Sequence, residues 1–173
     1  MSLALVIPRV EYESSYRNYI SEIKANDDSM IPFVLNLPND DFNSFLSEVH
    51  GYARGEGLAP EFVAHSTFWL IENSSEIVGI ANIHHELTEK LKIEGGHIGY
   101  SIRPSRRGQG YGNAILNESL KEARKLGILK VLITCDKENV PSARVILRNG
   151  GTLESESYVE ARQAVVQRYW INL

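Results

Sequence analysis

The chain has 173 residues, 43% of them hydrophobic and 23% charged, so it is long enough for one domain with a substantial core. Its net charge is −4 (18 basic against 22 acidic residues), without the basic excess of a nucleic-acid binder, so no nucleic-acid partner is expected. One cysteine, Cys135, excludes an internal disulfide and fits a reducing compartment. No apolar run reaches the length of a membrane span, and the first ten residues lack the pattern of a leader, so a cytoplasmic location and no membrane partner are expected.

In chain order, residues 3–7 read as a strand stopped by Pro8. Tyr12, Tyr16, Tyr19, Ile20 and Ile23 recur at helical spacing and predict a helix over 11–25. Residues 26–38 carry two prolines and read as a loop. Phe42, Phe45, Leu46 and Val49 predict a second helix over 40–53, capped by Asn39 or Asp40. Residues 67–72 and 76–84 form an antiparallel hairpin about Asn73-Ser74-Ser75. A strand at 97–103, a helix at 109–126, a strand at 129–135 and a helix at 140–149 follow. Two strands, near 151–159 and 164–172, close the chain. The order β-α-α-β-β-β-α-β-α-β-β predicts a single α/β domain over residues 1–173, with a mixed, partly antiparallel sheet.

The most informative segment is 103–112, RPSRRGQGYG, between the 97–103 strand and the next helix. Glycines let the backbone come close to a bulky anion, and a helix N-terminus offers free N–H groups and a positive dipole end. Arg106 and Arg107 add charge and bidentate donors. The segment therefore predicts a phosphate or pyrophosphate cradle. A P-loop needs Lys-Ser/Thr after its last glycine, where Asn113-Ala114 stands here. A dinucleotide fingerprint needs G-x-G-x-x-G near the start of a βαβ unit, whereas Gly108, Gly110 and Gly112 are spaced G-x-G-x-G past the middle of the chain.

The run R-x-x-G-x-G over 107–112, preceded by Ile102-Arg103-Pro104-Ser105, resembles the acyl-CoA pyrophosphate loop of the GNAT N-acetyltransferase superfamily. Asn139, Ser142 and the later Asn149-Gly150-Gly151 resemble that family's second CoA-contacting segment. The resemblance is specific over 76–151, the expected acyl-CoA-binding core, and compatible before it. It implies direct acetyl transfer from acetyl-CoA, as co-substrate, to an amine on a small molecule or peptide, with no metal. It leaves room for a homodimer. It implies that Ile102, Arg107, Gly108, Gln109, Gly110, Tyr111, Gly112, Asn139 and Ser142 contact the cofactor, that the strand near residues 100–103 pairs with the pantetheine arm, and that the amides of 107–112 hold the pyrophosphate.

Amine acetylation needs a proton acceptor. His97, at the start of the strand before the loop, is the first candidate, with Glu86 and His84 as alternatives. Many members of the family carry a tyrosine acid seven residues after the Asn. That position is Ile146 here, leaving Tyr158 on a late strand or an unassisted thiolate departure. The missing tyrosine keeps a second function class open, a CoA-binding sensor or regulatory module without catalysis. A nucleotide-binding domain using the same cradle is a third, without a base-recognition element in the sequence. His84 and His85 are adjacent on a strand, so they face opposite sides and do not share a metal readily. Cys135 ends an apolar run and reads as core. The acceptor is expected to meet residues 26–38 and 54–66.

Overall fold

A computed structural model describes residues 2–173. Seven strands and five helices follow the order read from the sequence: β1 (Leu3–Val6), α1 (Glu13–Ala25), α2 (Phe42–Ala53), β2 (His65–Glu72), β3 (Glu76–His84), α3 (Glu89–Ile93), β4 (Ile98–Ile102), α4 (Tyr111–Lys125), β5 (Lys130–Asp136), α5 (Val140–Arg148), β6 (Thr152–Val159) and β7 (Ala164–Asn172). The single-turn α3 is an addition, capped by Thr88 accepting from Leu91 N–H. The first predicted helix is divided into a 3₁₀ turn, Val10–Tyr12, and α1. The loop after α1 holds a second 3₁₀ turn, Phe33–Asn36. Helix α2 is capped by Asp41 rather than Asn39 or Asp40. Its carboxylate accepts from the N–H groups of Asn43 and Ser44, two donors that an α-helix leaves without partners.

The sheet is divided in two, and its ladders are antiparallel: β1-β2-β3-β4 and β5-β7-β6. The helices α1 and α2 cover one face of the first sheet, where Tyr16, Tyr19, Ile23 and Phe45 meet Trp69, Ile77 and Ile80. The α4 helix covers the other face through Tyr111 and Ile115 against Leu70, Val78 and Ala81. Its remaining apolar residues join α5 and the second sheet through Leu116, Leu120, Ile133, Ile146 and Tyr169. Each burial of a large apolar side chain contributes about 1.5–3 kcal/mol, which explains why β2 and β3 read as nearly continuous apolar runs: both faces are covered.

The sheets join at one point. Gly96 bridges to Ile133, and His97 N–H donates to Leu132 O at 2.7 Å. At Gly96 φ is +64°, and a Cβ there would lie 2.5 Å from Leu132 O, so only glycine permits this approach. Beyond the junction β4 and β5 are not hydrogen-bonded to each other. Each pairs with a neighbour on one side and presents its other edge to an opening between the sheets.

Candidate active site

The cradle sits at the end of β4. Residues 104–106 make a 3₁₀ turn, and Gly108 and Gly110 take φ of +74° and +90°. Gly110 is the N-cap of α4, with no side-chain cap. A Cβ built on Gly108 or Gly110 meets nothing within 4 Å, so the loop faces open space. Among the described residues, the N–H groups of Gly108, Gln109, Gly110 and Gly112 have no hydrogen-bond acceptor. Together with the helix dipole they form an anion site made of backbone. Gly112 lets α5 close on α4, since a Cβ there would sit 3.0 Å from Val145 Cγ2.

Two expectations at the loop need correction. The amide of Arg107 is not in the cradle, because it donates to Pro104 O at 3.3 Å. The arginines do not point at the anion site either. Arg107 donates to Asp28 and to Ile102 O. Arg106 pairs with Glu76 and lies 3.6 Å from Glu72. Arg103, 8% exposed, donates through Nε to Glu22 at 2.7 Å and through Nη1 to Glu76 at 2.9 Å. Glu22 also accepts from the Ser105 hydroxyl, and Glu72 accepts from the Tyr111 hydroxyl. Burial pushes the Glu22 carboxyl up, but Ser105 and Arg103 outweigh it and hold it below the ordinary value. Arg107 holds Asp28 below its ordinary value. The basic residues thus brace the loop against α1, β2 and β3. Of the expected contacts, Tyr111 turns its ring into the core, and Gln109 Nε2 donates to Ser105 O at 3.3 Å.

At the far wall of the opening, Asn139 caps α5, its Oδ1 accepting from Ser142 N–H at 3.2 Å. The Ser142 hydroxyl lies 3.3 Å from the Tyr100 hydroxyl, a contact between α5 and β4 across the opening. Ile146 is fully buried in the core, so no hydroxyl stands there. Tyr158 is 57% exposed on β6 and donates to Gln163 on its own hairpin at 3.3 Å. Cys135 is buried, and burial pushes its thiol up to about 11, so it is inert.

The histidines separate by hydrogen bonding. His97, 7% exposed, accepts from Leu132 N–H at 2.9 Å through Nδ1. An amide N–H can only donate, so the proton of the neutral ring is on Nε2 and the lone pair is occupied. Burial, with His84 nearby, pushes this ring down to about 4. His97 pins the two sheets together; this geometry does not suit the base expected of it. His84 has the opposite arrangement. Its Nδ1 lies 3.1 Å from Gly96 O, which can only accept, so Nδ1 carries the proton and Nε2 holds the lone pair. Burial lowers its pKa, partly offset by the Gly96 carbonyl. Glu86 is exposed, and its charge acts on His85, whose Nε2 is 2.9 Å from the Ser66 hydroxyl on the other side of the strand.

Sequence reasoning did not single out the row of polar groups on the α1/α2 side of the first sheet. His65 stands opposite His84, Thr67 opposite Asn82, and Asn82 opposite Gly99. Asn82 Nδ2 is 2.9 Å from His65 Nδ1 and donates to Thr67 Oγ1 at 3.1 Å. The signal was present: polar residues at i and i+2 in strands that are otherwise apolar mark one inward face.

A strand, a backbone anion cradle and a helix beside two antiparallel sheets define an α/β class with an anion site at a strand end. The family model described as acetyltransferase (GNAT) domain matches residues 13–152, and the chain belongs to that family. Among solved structures, it is similar to the microcin C7 self-immunity acetyltransferase MccE in complex with acetyl-CoA and AMP (18% identity, TM-score 0.71, covering 99% of this chain and 92% of that one). It is similar also to Mycobacterium smegmatis RimJ in complex with CoA-disulfide (19%, 0.72, 98% and 81%). A third is the ribosomal-protein-S5-alanine acetyltransferase of Vibrio fischeri (14%, 0.72, 99% and 93%). At these identities the likeness is one of fold. No curated protein matches the chain. Among the described residues no helix is long and apolar enough to cross a membrane.

Proposed function

We propose that the protein transfers the acetyl group of acetyl-CoA directly to a primary amine. The observation that carries this reading is the backbone cradle, with four N–H groups lacking acceptors, at the end of a strand whose free edge lines the opening between the sheets. The cradle holds the pyrophosphate, and the free edge of β4 receives the amides of the pantetheine arm, as Ile102 and its neighbours suggested from sequence. Asn139 and Ser142 line the opposite wall. The bound cofactor supplies a thioester carbonyl open to attack.

His84 is the base in this reading. Its Nε2 lone pair takes the proton that the amine releases as the C–N bond forms, and the Gly96 carbonyl favours the ring that results. The C–S bond breaks with its electron pair on sulfur. The hydroxyl pair Tyr100–Ser142 stands at the opening to return a proton to the thiolate, in the role that Ile146 cannot fill. Tyr158 and Glu86 take no part.

The apolar Ile146 favours a second reading, a CoA-binding module without turnover. Calorimetry with acetyl-CoA, CoA and NAD, followed by a thiol-release assay with a panel of amines, separates the two. Binding of the CoA species with thiol release supports the enzyme. Binding without release with any amine supports the module, and absence of CoA binding removes both.

A further inference from the structure

The polar row ends in a cavity. Between the 3₁₀ turn after α1, the end of α2 and residues 57–62 lies a space of about 150 Å³, walled by Phe33, Tyr52, Phe62 and His65 and by the chain at 57–59. Phe33 and residues 57–65 of this wall fall in the segments that the sequence marked for an acceptor by position, whereas Tyr52 at the end of α2 does not. Phe33 lies 5.5 Å from Phe62 and meets His65 edge-on at 5.0 Å, while Tyr52 is 4.9 Å from His65. The Tyr52 hydroxyl is committed to Glu48. Among the described residues, no carboxylate lines the cavity.

His65 is wholly buried, yet its Nε2 has no partner among the described residues. Because Asn82 donates to Nδ1, Nε2 carries the proton, and burial keeps the ring neutral. A buried N–H without a partner destabilises the site, so a ligand atom that accepts from it is favoured by that contrast. A cavity of this volume holds about one benzene ring. His84 stands 5.8 Å from His65 and 6.4 Å from Phe33, ring centre to ring centre, nearly parallel to the latter. The candidate base therefore packs against two residues of the cavity wall, Phe33 and His65, without itself lining the cavity.

We propose that the acceptor is a primary amine bearing a compact aromatic group, whose ring enters this cavity and whose polar substituent accepts from His65 Nε2–H. This rests on the reading of the site as an amine acetyltransferase. Two sources carry this chemistry: a free arylalkylamine, and a peptide whose first residue is aromatic. The absence of a carboxylate from the lining sets the site apart from one built for a polycation.

The test is thiol release from acetyl-CoA by the full chain with tyramine, phenethylamine, propylamine, spermidine and tripeptides beginning with Tyr or Ala. Expected are kcat/KM values for the aryl amines about tenfold or more above those for propylamine and spermidine, and a preference for tyramine over phenethylamine. Phe62→Ala, at a residue 44% exposed, raises the aryl-amine KM about tenfold without changing acetyl-CoA affinity in calorimetry. His65→Phe abolishes the tyramine preference; His65→Gln, which keeps a donor, retains part of it. If the Tyr tripeptide outruns tyramine the source is a peptide terminus, and the reverse order assigns a free amine. Turnover of propylamine or spermidine at or above the aryl amines overturns this inference and leaves the proposed function standing. No thiol release with any amine, despite acetyl-CoA binding, overturns both.

Discussion

Two histidines 13 positions apart illustrate how one hydrogen bond decides a role. His84 and His97 share the same junction, and His84 N–H donates to His97 O at 2.7 Å. Yet one ring donates through Nδ1 and the other accepts there. Replacing His84 by Ala is expected to lower kcat by about 10²-fold or more, with calorimetric acetyl-CoA affinity unchanged. Because the folded ring titrates below its ordinary value, the acidic limb of kcat in the wild type falls below pH 6.5; the variant loses that limb. His97→Ala acts on stability. It leaves the buried Leu132 N–H without an acceptor, at a cost of about 1–3 kcal/mol, read as a lower Tm with kcat little changed for the fraction that remains folded.

At the scale of elements, the cradle depends on a turn, a helix end and a brace. Gly110 sits at φ +90°, where a side chain is strained and would also project into the open face that the backbone donors line. Gly110→Val is therefore expected to abolish CoA binding in calorimetry while circular dichroism stays native. The brace is the Arg103–Glu22–Glu76–Arg106 network. Arg103 is nearly buried, so Arg103→Ala leaves Glu22 without its cation, while Glu76 keeps Arg106, and costs about 1–3 kcal/mol. The loop should then lose amide protection in hydrogen exchange, and CoA affinity should fall with it. Sequence reading found the basic loop but gave its charges to the ligand. The acidic partners lie far along the chain, at 22, 28, 72 and 76, and nothing local pairs them with 103–107.

Across the whole molecule, stability depends on two sheets held at a narrow junction, and it is pH-sensitive through His97 at that junction and His65 within the first sheet. His65 and His97 titrate near 4 in the folded state because burial disfavours their charged form, against about 6.5 when unfolded. Between these values the unfolded chain binds more protons, so stability falls as pH falls from 6.5 to 4 and gains no further loss from these rings below 4. A shift of that size is on the order of 3 kcal/mol for each ring. Thermal unfolding followed from pH 7 to 4 should show this slope, and His65→Gln should remove its share. A Tm that stays flat over that range would contradict the neutral, buried assignment of both rings.

The element order, the strand–loop–helix cradle and its resemblance to acyl-CoA folds could be read from the sequence, because each is local: apolar periodicity sets helices and strands, and glycine spacing sets the turn. The division of the sheet, the inward turn of Arg103, Arg106 and Arg107, the exchange of roles between His84 and His97, and the cavity around His65 came only with tertiary structure. Each depends on atoms brought together from distant segments, where a hydrogen-bond direction or a buried carboxylate, rather than any local pattern, fixes what a side chain can do.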